Sequence, residues 1–167
     1  MNKENIVAII PARKGSKGIK NKNIIKINKK YLKAYSILTA KKCNLDKIIV
    51  TTNSKNYQKI SKKYGAETPF LRPNNISNSK SLDQDYLRHC YFWFLRKNYK
   101  IDIFVILRPT TPIRDFKEIK KILNFFKKNN LNFLRSAHES AESPFKWFKR
   151  DKKGYFLPLS KNLSLKT

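Results

Sequence analysis

The stretch IVAIIPARKGSKGIKNKN, residues 6–23, decides the fold class of this chain. It opens with five consecutive apolar residues, Ile6 to Ile10, most of them β-branched, and Pro11 ends the run. A short, wholly apolar run of this kind is typical of a parallel strand that is buried on both faces. A loop with two glycines and several cations follows directly. The chain therefore begins with a buried strand that opens into a basic, glycine-bearing loop.

The rest of the chain continues this alternation of strands and helices. The apolar spacing predicts helices over residues 32–43, 56–64, 83–98 and 116–129, and strands over 47–51, 67–71, 101–107 and 133–137. Gly65 is placed to end the second helix. Strands that are apolar on both faces and alternate with helices indicate a three-layer, doubly wound α/β domain with a mostly parallel sheet. The apolar face of the first of these helices is predicted to consist of Leu32, Tyr35, Ser36, Leu38 and Thr39.

The predicted topology also indicates where a ligand binds. In open α/β sheets, ligands bind beyond the carboxyl ends of the strands. The two loops richest in polar side chains follow Ile10 and Leu107, at the ends of two predicted strands. We therefore expect both loops to face one cleft.

Length and composition set the broad class. The chain has 167 residues and 40% hydrophobic residues, which suits one folded domain with a real core. No apolar run approaches the roughly 20 residues of a membrane span, and the N-terminus lacks the apolar region of a signal peptide. Cys43 and Cys90 match no metal spacing, so we expect two buried thiols in a cytoplasmic protein.

The formal net charge of +27 would draw the chain to any polyanion, including nucleic acid. A second explanation is compositional, because Lys, Asn and Ile are all abundant, as AT-rich codons would produce. The lysines are spread along the chain and form no single block. Specific nucleic-acid binding is therefore not the expected function.

The loop at 11–23 has the chemistry of a phosphate cradle. Gly15 and Gly18 allow backbone amides to approach an anion closely. Arg13 and Lys17 add charge and Ser16 adds a hydroxyl donor. The spacing matches neither the Walker A motif nor the dinucleotide fingerprint. The alternative is an ordinary loop whose lysines reflect composition.

Five ordered segments resemble one enzyme family. They are PARKGSKGIKNKN at 11–23, IIVTTNS at 48–54, LRP at 71–73, LRPTTPIR at 107–114 and RSAHESAESPFKWF at 135–148. Together they resemble the acylneuraminate cytidylyltransferases, which activate nine-carbon sialic acids, and their relatives for legionaminic and pseudaminic acids. Enzymes for 3-deoxy-manno-octulosonic acid are more distant relatives. The resemblance covers most of the chain and implies the fold of nucleotide-diphospho-sugar transferases.

The resemblance implies a reaction in which the anomeric hydroxyl of the sugar acid attacks the α-phosphate of CTP and pyrophosphate leaves. Family members use Mg²⁺ for this reaction. Arg13 and Lys17 match the family's triphosphate contacts and are the candidate catalytic residues. The candidate nucleotide-binding residues are Arg13, Gly15, Ser16, Lys17, Lys22, Asn23 and Ser81.

On the sugar side, the resemblance points to the segments 107–114 and 135–148. Arg108 stands where the family often has Gln, and Arg there favours an acidic group. The alternative for this segment is a proline-bound connector with exposed arginines. His138, beside two glutamates, fits a general base, a metal site or simple loop hydrogen bonds. The candidate sugar-binding residues are Arg108, Thr110, Thr111, Arg114, Glu142 and Ser143.

Two further positions have competing interpretations. Ser79 or Ser81 can stand in for the family's acidic nucleotide-side loop, but Ser81 or Asp83 is equally suited to cap the next helix. Arg72 can reach a phosphate or form a structural ion pair. The aromatic residues 91–94 are expected to pack in the helix, because a helical run alternates faces and offers no single stacking platform.

The resemblance also sets expectations about what this chain lacks. The family's two magnesium-binding aspartates are expected beyond Thr167, so no metal ligand is assigned here. Residues 1–167 are expected to form a single C-terminally truncated domain, and 135–159 to begin the dimerisation and sugar-side segment of a homodimer. Three functions remain: a sugar-acid cytidylyltransferase, a related nucleotidyltransferase, or a basic α/β module that binds nucleic acid or another anion without catalysis.

Overall fold

A computed structural model describes residues 4–16, 18–137, 139 and 147–158. The chain divides into two compact units, Met1–Asn129 and Asn130–Thr167. The helices and strands of the first unit, in chain order, are β1 (Ile6–Pro11), β2 (Lys26–Ile27), β3 (Lys30–Tyr31), α1 (Leu32–Lys42), β4 (Lys47–Thr51), α2 (Lys55–Lys63), α3 (Asp83–Leu95), β5 (Ile103–Ile106) and α4 (Phe116–Lys128).

The main sheet of the first unit has three parallel strands in the order β4-β1-β5. Val7 pairs with Lys47 on one side of β1 and with Phe104 on the other. The central strand is therefore the wholly apolar run that opens the chain, and its residues Val7, Ala8, Ile9 and Ile10 are fully buried.

Side chains of β1 alternate between two cores. Ala8 and Ile10 pack with Ile37 of α1 and Tyr57 of α2, among other residues, on one face of the sheet. On the other face, Val7 and Ile9 pack with residues of α3 that recur at helical spacing, namely Tyr86, Cys90 and Phe94. Helices thus cover both faces of a parallel sheet. This confirms the predicted three-layer α/β fold.

The helix ends follow from local chemistry. The Ser54 hydroxyl accepts a hydrogen bond from the Tyr57 N–H at the start of α2, and Gly65 follows its end with φ of 88°. The Asp115 carboxylate accepts from the Lys117 N–H at the start of α4. The prediction of a cap at Ser81 or Asp83 is wrong, because Leu82 precedes α3 and the Ser81 hydroxyl accepts from the Asn78 N–H instead.

Two predicted strands are absent from the described residues. Within 67–71, only Glu67 pairs, in an isolated bridge with Ile49, because Pro69 has no N–H to continue the ladder. Residues 133–137 have no strand partner in the part of the chain that the structure describes, and Phe133 is 78% exposed. A segment without a partner strand has no neighbouring backbone to pair with its N–H and C=O groups, so it does not form a strand.

The predicted apolar face of α1 is only partly correct. Leu32, Ser36 and Thr39 are buried, but Tyr35 and Leu38 are only half-buried. Further buried positions of α1 are Lys33, Ala34, Ile37 and Ala40. The helix is covered by α2 and α4 as well as the sheet, so its buried surface is wider than one stripe.

The second unit contains an antiparallel hairpin of β6 (Phe148–Arg150) and β7 (Phe156–Pro158). The Asp151 carboxylate accepts from the N–H groups of Lys153 and Tyr155, and Gly154 adopts a φ of 96° in the turn. This is the local chemistry of a tight turn.

Both cysteines are buried and free, as predicted. Among the described residues, no helix has the length and apolar character that a membrane crossing requires.

Candidate active site

A cleft of about 390 Å³ lies beyond the carboxyl ends of β1 and β5. The loop after β1 and the loop after β5 both line it, which confirms the prediction that these loops face one cleft. A third wall comes from Arg72 and the start of α3. The lining residues are Pro11, Arg13, Ser16, Gly18, Lys22, Asn23, Arg72, Asn78, Ser81, Leu82, Asp83, Tyr86, Arg108, Pro109 and Thr110.

The glycine-bearing loop is shaped by its own hydrogen bonds. Gly15 has a φ of 81°, a conformation that favours glycine, and its carbonyl accepts from Nη1 of Arg13 at 2.9 Å. The Asn23 side-chain amide donates to the Arg13 carbonyl at 3.1 Å, and Asn23 is itself buried. Asn23 therefore positions the backbone that carries Arg13.

Arg72 is buried in the wall of the cleft. Its Nε donates to the Thr51 hydroxyl at 3.1 Å and its Nη2 to the Thr51 carbonyl at 2.6 Å. Burial lowers the pKa of Arg72 to about 10, and the like charge of Arg13 contributes in the same direction. Neutral oxygens at the end of β4 thus hold this cation, which is different from the structural ion pair considered from the sequence. The other role predicted for Arg72 was contact with a phosphate. That role requires Arg72 to line the cleft, and it does.

Tyr86 of α3 lies beside Arg72, with the guanidinium 5.0 Å from the ring centroid. The side chain is 4% exposed, and its hydroxyl is buried next to the Asp83 carboxylate. Burial raises the pKa of Tyr86, and the nearby negative charge of Asp83 raises it further. The sequence signal for Tyr86 was its place on the buried face of α3, one turn before Cys90.

Arg108 forms an ion pair with Asp83 at the start of α3. The loop that carries Arg108 is tied down by Arg114, whose Nη2 donates to the Arg108 carbonyl at 2.7 Å. Nη1 of Arg114 donates to the Ser36 hydroxyl on α1 at 3.3 Å. Arg114 therefore connects the loop to α1, and its own side chain does not line the cleft.

The structure brings most of the predicted residues together. Those that line the cleft are Arg13, Ser16, Lys22, Asn23, Ser81, Arg108 and Thr110. Gly15, Thr111 and Arg114 belong to the same loops but do not line it. Lys17, His138, Glu142 and Ser143 lie outside the described residues. The sequence prediction did not assign Asn78, Asp83 or Tyr86 to this site.

A protein-bound magnesium ion does not fit the described part of the cleft. Mg²⁺ is usually held by one or two carboxylates together with substrate phosphates. Asp83 is the only acidic residue among the lining residues, and Arg108 is already paired with it. No group of three potential metal ligands occurs within the described ranges.

Comparison with known proteins shows which enzymes this chain is similar to. The sequence profile described as Cytidylyltransferase matches residues 7–84, which include β1, the glycine-bearing loop, Arg72 and Asp83. The match covers just under half of this chain. Three of the five segments that resemble this family, at 11–23, 48–54 and 71–73, lie within the matched residues.

Two curated cytidylyltransferases illustrate the relationship. N-acylneuraminate cytidylyltransferase of Escherichia coli O18:K1:H7 (strain RS218 / NMEC) is 36% identical over 122 residues, 72% of this chain and 28% of that protein. CMP-N,N'-diacetyllegionaminic acid synthase of Campylobacter jejuni subsp. jejuni serotype O:2 is 43% identical over 84 residues, 50% of this chain and 36% of that protein. The matched part of this chain is therefore well under half the length of either relative.

A solved structure supports the fold. CMP:2-keto-3-deoxy-manno-octonic acid synthetase, complexed with CTP, matches with a TM-score of 0.62 at 16% identity. The match covers 76% of this chain and 49% of that one. At this identity the likeness shows a common α/β fold.

Proposed function

We propose that this cytidylyltransferase transfers CMP from CTP to a sialic-type, nonulosonic sugar acid and releases pyrophosphate. The observation that carries the proposal is the cleft itself. It joins a basic glycine-bearing loop, a buried arginine and the Arg108 loop at the strand ends. The relatives named above act on N-acylneuraminate and on N,N'-diacetyllegionaminic acid.

In the proposed reaction, the anomeric hydroxyl oxygen of the sugar forms a bond to the α-phosphorus of CTP. The bond from that phosphorus to the bridging oxygen breaks, pyrophosphate leaves with the electron pair, and the proton of the hydroxyl passes to water. Charge grows on the leaving pyrophosphate, so nearby cations accelerate the reaction. Arg13 and Lys22 are the described cations suited to this role, and we include Lys17 as a proposed catalytic neighbour of Arg13.

Arg108 is the proposed anion-binding residue on the sugar side. Its guanidinium is already paired with a carboxylate, that of Asp83, and a substrate carboxylate has the same chemistry. Thr110 supplies a neighbouring hydroxyl in the cleft. We retain Thr111, Glu142 and Ser143 as proposed sugar contacts.

Magnesium remains part of the proposal as a family property. When bound, Mg²⁺ would neutralise phosphate charge. The described cleft offers no free carboxylate to hold the ion, and no step is assigned to it here.

The second unit is a proposed dimerisation segment. Its hairpin exposes large apolar side chains, with Phe156 70% and Tyr155 68% exposed. Exposed apolar clusters mark interaction surfaces when they are contiguous. We therefore propose that the protein is a homodimer, and we retain the proposal that it is cytoplasmic.

Thermal unfolding with added nucleotides tests the proposed function. Ligands that bind the native state raise the melting temperature by mass action. With Mg²⁺ present, CTP should raise it more than ATP, UTP or a short DNA duplex at the same concentration. Pyrophosphate release with N-acetylneuraminic, legionaminic or pseudaminic acid should then identify the acceptor.

The control for the second assay contains CTP and Mg²⁺ but no sugar acid, and it should release no pyrophosphate. A shift with DNA alone, or an equal shift with every polyanion, would favour the basic binding module. The similarities reported above favour the transferase over that module.

A further inference from the structure

Asp83 places a negative charge in a cleft whose other charged groups are cations. Among the described lining residues, Arg13, Lys22, Arg72 and Arg108 are cationic and Asp83 alone is acidic. The two substrates proposed for this cleft are both anions, so a carboxylate in it opposes the binding of each. The position of Asp83 therefore requires an explanation.

The ion pair of Asp83 with Arg108 connects two walls of the cleft. Asp83 is the first residue of α3, and Arg108 lies on the loop after β5. Nη2 of Arg108 donates a hydrogen bond to Oδ2 of Asp83, and within the described ranges this is the only hydrogen bond of the Arg108 side chain. The side chains of Arg108 and Asp83 are 54% and 43% exposed, so a ligand that enters the cleft can reach the pair.

The start of α3 does not depend on the Asp83 carboxylate. Asp85 closes the first turn, because its Oδ2 accepts from the Leu82 N–H at 2.7 Å while its own N–H donates to the Leu82 carbonyl at 3.2 Å. Asp83 supports the helix only through the favourable position of its charge at the N-terminus. Its one direct hydrogen bond in the described part of the chain is the contact with Arg108, across the cleft.

We propose that Asp83 is an internal competitor for the substrate carboxylate, and that it occupies Arg108 until a sugar acid displaces it. The inference rests on the role proposed above for Arg108. An arginine that is paired with Asp83 offers no net charge, so a second carboxylate gains little unless it replaces the first. A sugar without an acidic group cannot make this exchange. Asp83 therefore determines specificity, and it does so by acting through Arg108.

The displaced carboxylate has other partners on its own wall of the cleft. The hydroxyl of Tyr86, one turn later on α3, is buried next to Asp83. The guanidinium of Arg72 lies 5.0 Å from the Tyr86 ring centroid, and its charge also interacts with that of Asp83. A hydroxyl and a cation thus stabilise Asp83 when it leaves Arg108, which keeps the cost of the exchange low.

The test is Asp83→Asn, which keeps the shape of the side chain and removes its charge. N-acetylneuraminic, legionaminic and pseudaminic acids are each titrated by calorimetry in the presence of CDP, which has no pyrophosphate to release. The acid that wild type binds most tightly should bind Asp83→Asn about three- to fivefold more tightly, because an exposed ion pair reduces the available fraction of Arg108 by about that factor. The affinity for CTP should change less, since Arg108 is assigned to the sugar side.

Asp85→Asn is the matched control. It removes the same charge from the same helical turn, and Asp85 does not line the cleft. Its affinity for the sugar acid should equal that of wild type. Its melting temperature should fall, because the hydrogen bond from the Leu82 N–H is weakened, whereas that of Asp83→Asn should change little.

Two further measurements separate displacement from simple charge repulsion. In Arg108→Gln, the group for which Asp83 competes is absent, so adding Asp83→Asn should give no further gain in affinity. The methyl ester of the sugar acid lacks the charged carboxylate. It should bind wild type and Asp83→Asn equally weakly.

Equal or weaker binding of the sugar acid by Asp83→Asn would overturn the inference, because Asp83 would then be neutral toward Arg108 or would orient it. The same gain in the Arg108→Gln background would also overturn it, since the effect would be charge repulsion alone. Both outcomes leave the proposed function intact. If wild type binds none of the three acids, the proposed function fails and this inference fails with it.

Discussion

Two buried cations show how single residues shape this protein. Arg72 is held by the oxygens of Thr51, and Lys33 on α1 is fully buried with its Nζ donating to the Tyr57 carbonyl at 2.6 Å. The Lys33 Nζ also lies 4.5 Å from the Tyr57 ring centroid. Arg72 borders the cleft, whereas Lys33 lies in the core between α1 and α2. Arg72 is therefore placed where a ligand could contact it, whereas Lys33 affects the stability of the fold.

Lys33→Met should remove part of the pH dependence of folding. Burial lowers the pKa of Lys33 from 10.5 to about 7. Between those pH values the unfolded chain binds the proton and the folded chain does not, so stability rises with pH across that window. At pH 7, Lys33→Met should stabilise the fold by about 2 kcal/mol, because the buried amine is replaced by an apolar chain of similar length.

The measurement is the free energy of unfolding from pH 6 to 10. The many other lysines titrate in the same range, so Lys59→Met on the exposed side of α2 serves as the control. If the two variants show the same pH profile, the lowered pKa of Lys33 is contradicted.

Arg13→Ala should weaken CTP binding by at least tenfold, since charged hydrogen bonds contribute about 1.5–3 kcal/mol. Arg13 lines the cleft, whereas its neighbour Lys14 is exposed and does not. Lys14→Ala should therefore leave the affinity nearly unchanged. Equal affinity of Arg13→Ala and wild type, measured by calorimetry, would rule out the phosphate cradle.

At the scale of elements, the loop between β5 and α4 is tied down along its length. The Leu107 N–H donates to the Ile9 carbonyl, which extends the pairing of β5 with β1 by one residue. Arg114, near the end of the loop, donates a hydrogen bond to Ser36 of α1, and Asp115 caps the start of α4. Arg108 is thus presented at the cleft by a rigid connection.

Arg108→Gln should change the sugar preference and leave CTP binding nearly intact. The substitution removes the charge that attracts a carboxylate and also frees Asp83. We expect KM for the preferred sugar acid to change about tenfold and KM for CTP by less than twofold. Arg88→Gln, on the exposed side of α3 and outside the cleft, is the control. An equal loss for both substrates would contradict the assignment.

At the scale of the whole molecule, charge is distributed unevenly. Asp46 is the only acidic residue from Asn5 to Ala66, a region that includes the glycine-bearing loop and many lysines. Such a surface attracts polyanions regardless of their sequence.

Binding to duplex DNA should therefore be weak and steeply salt-dependent. We expect affinity to fall by about a thousandfold between 50 and 200 mM salt, as counterion release predicts for a protein that contacts several phosphates. The CTP-induced thermal shift should survive at 200 mM, because Arg13 and Arg72 are partly or fully buried. Sequence-selective DNA binding at 200 mM would instead indicate a dedicated nucleic-acid role.

Local sequence patterns were sufficient to predict most of the main strands and helices of this protein. The apolar runs predicted β1 and β4 with nearly correct bounds, and helical spacing predicted α1 to α4 to within a few residues. The glycine-bearing loop was placed at a strand end from the sequence alone, and with it Arg13, Lys22 and Asn23. These features depend on residues close together in the chain, whose periodicity and turn chemistry are local properties.

The tertiary structure decided the rest. The Arg108–Asp83 ion pair joins residues 25 positions apart, and Arg72 reaches back 21 positions to Thr51. The isolated bridge at Glu67 and the burial of Lys33 and Tyr86 also depend on what packs against each residue. The sequence shows which chemical groups are present, but contacts between distant segments form only when the helices pack against the sheet. For that reason the sequence determined the alternation of strands and helices and the chemistry of the loop, and the packing of α3 against the sheet decided which side chains complete the cleft.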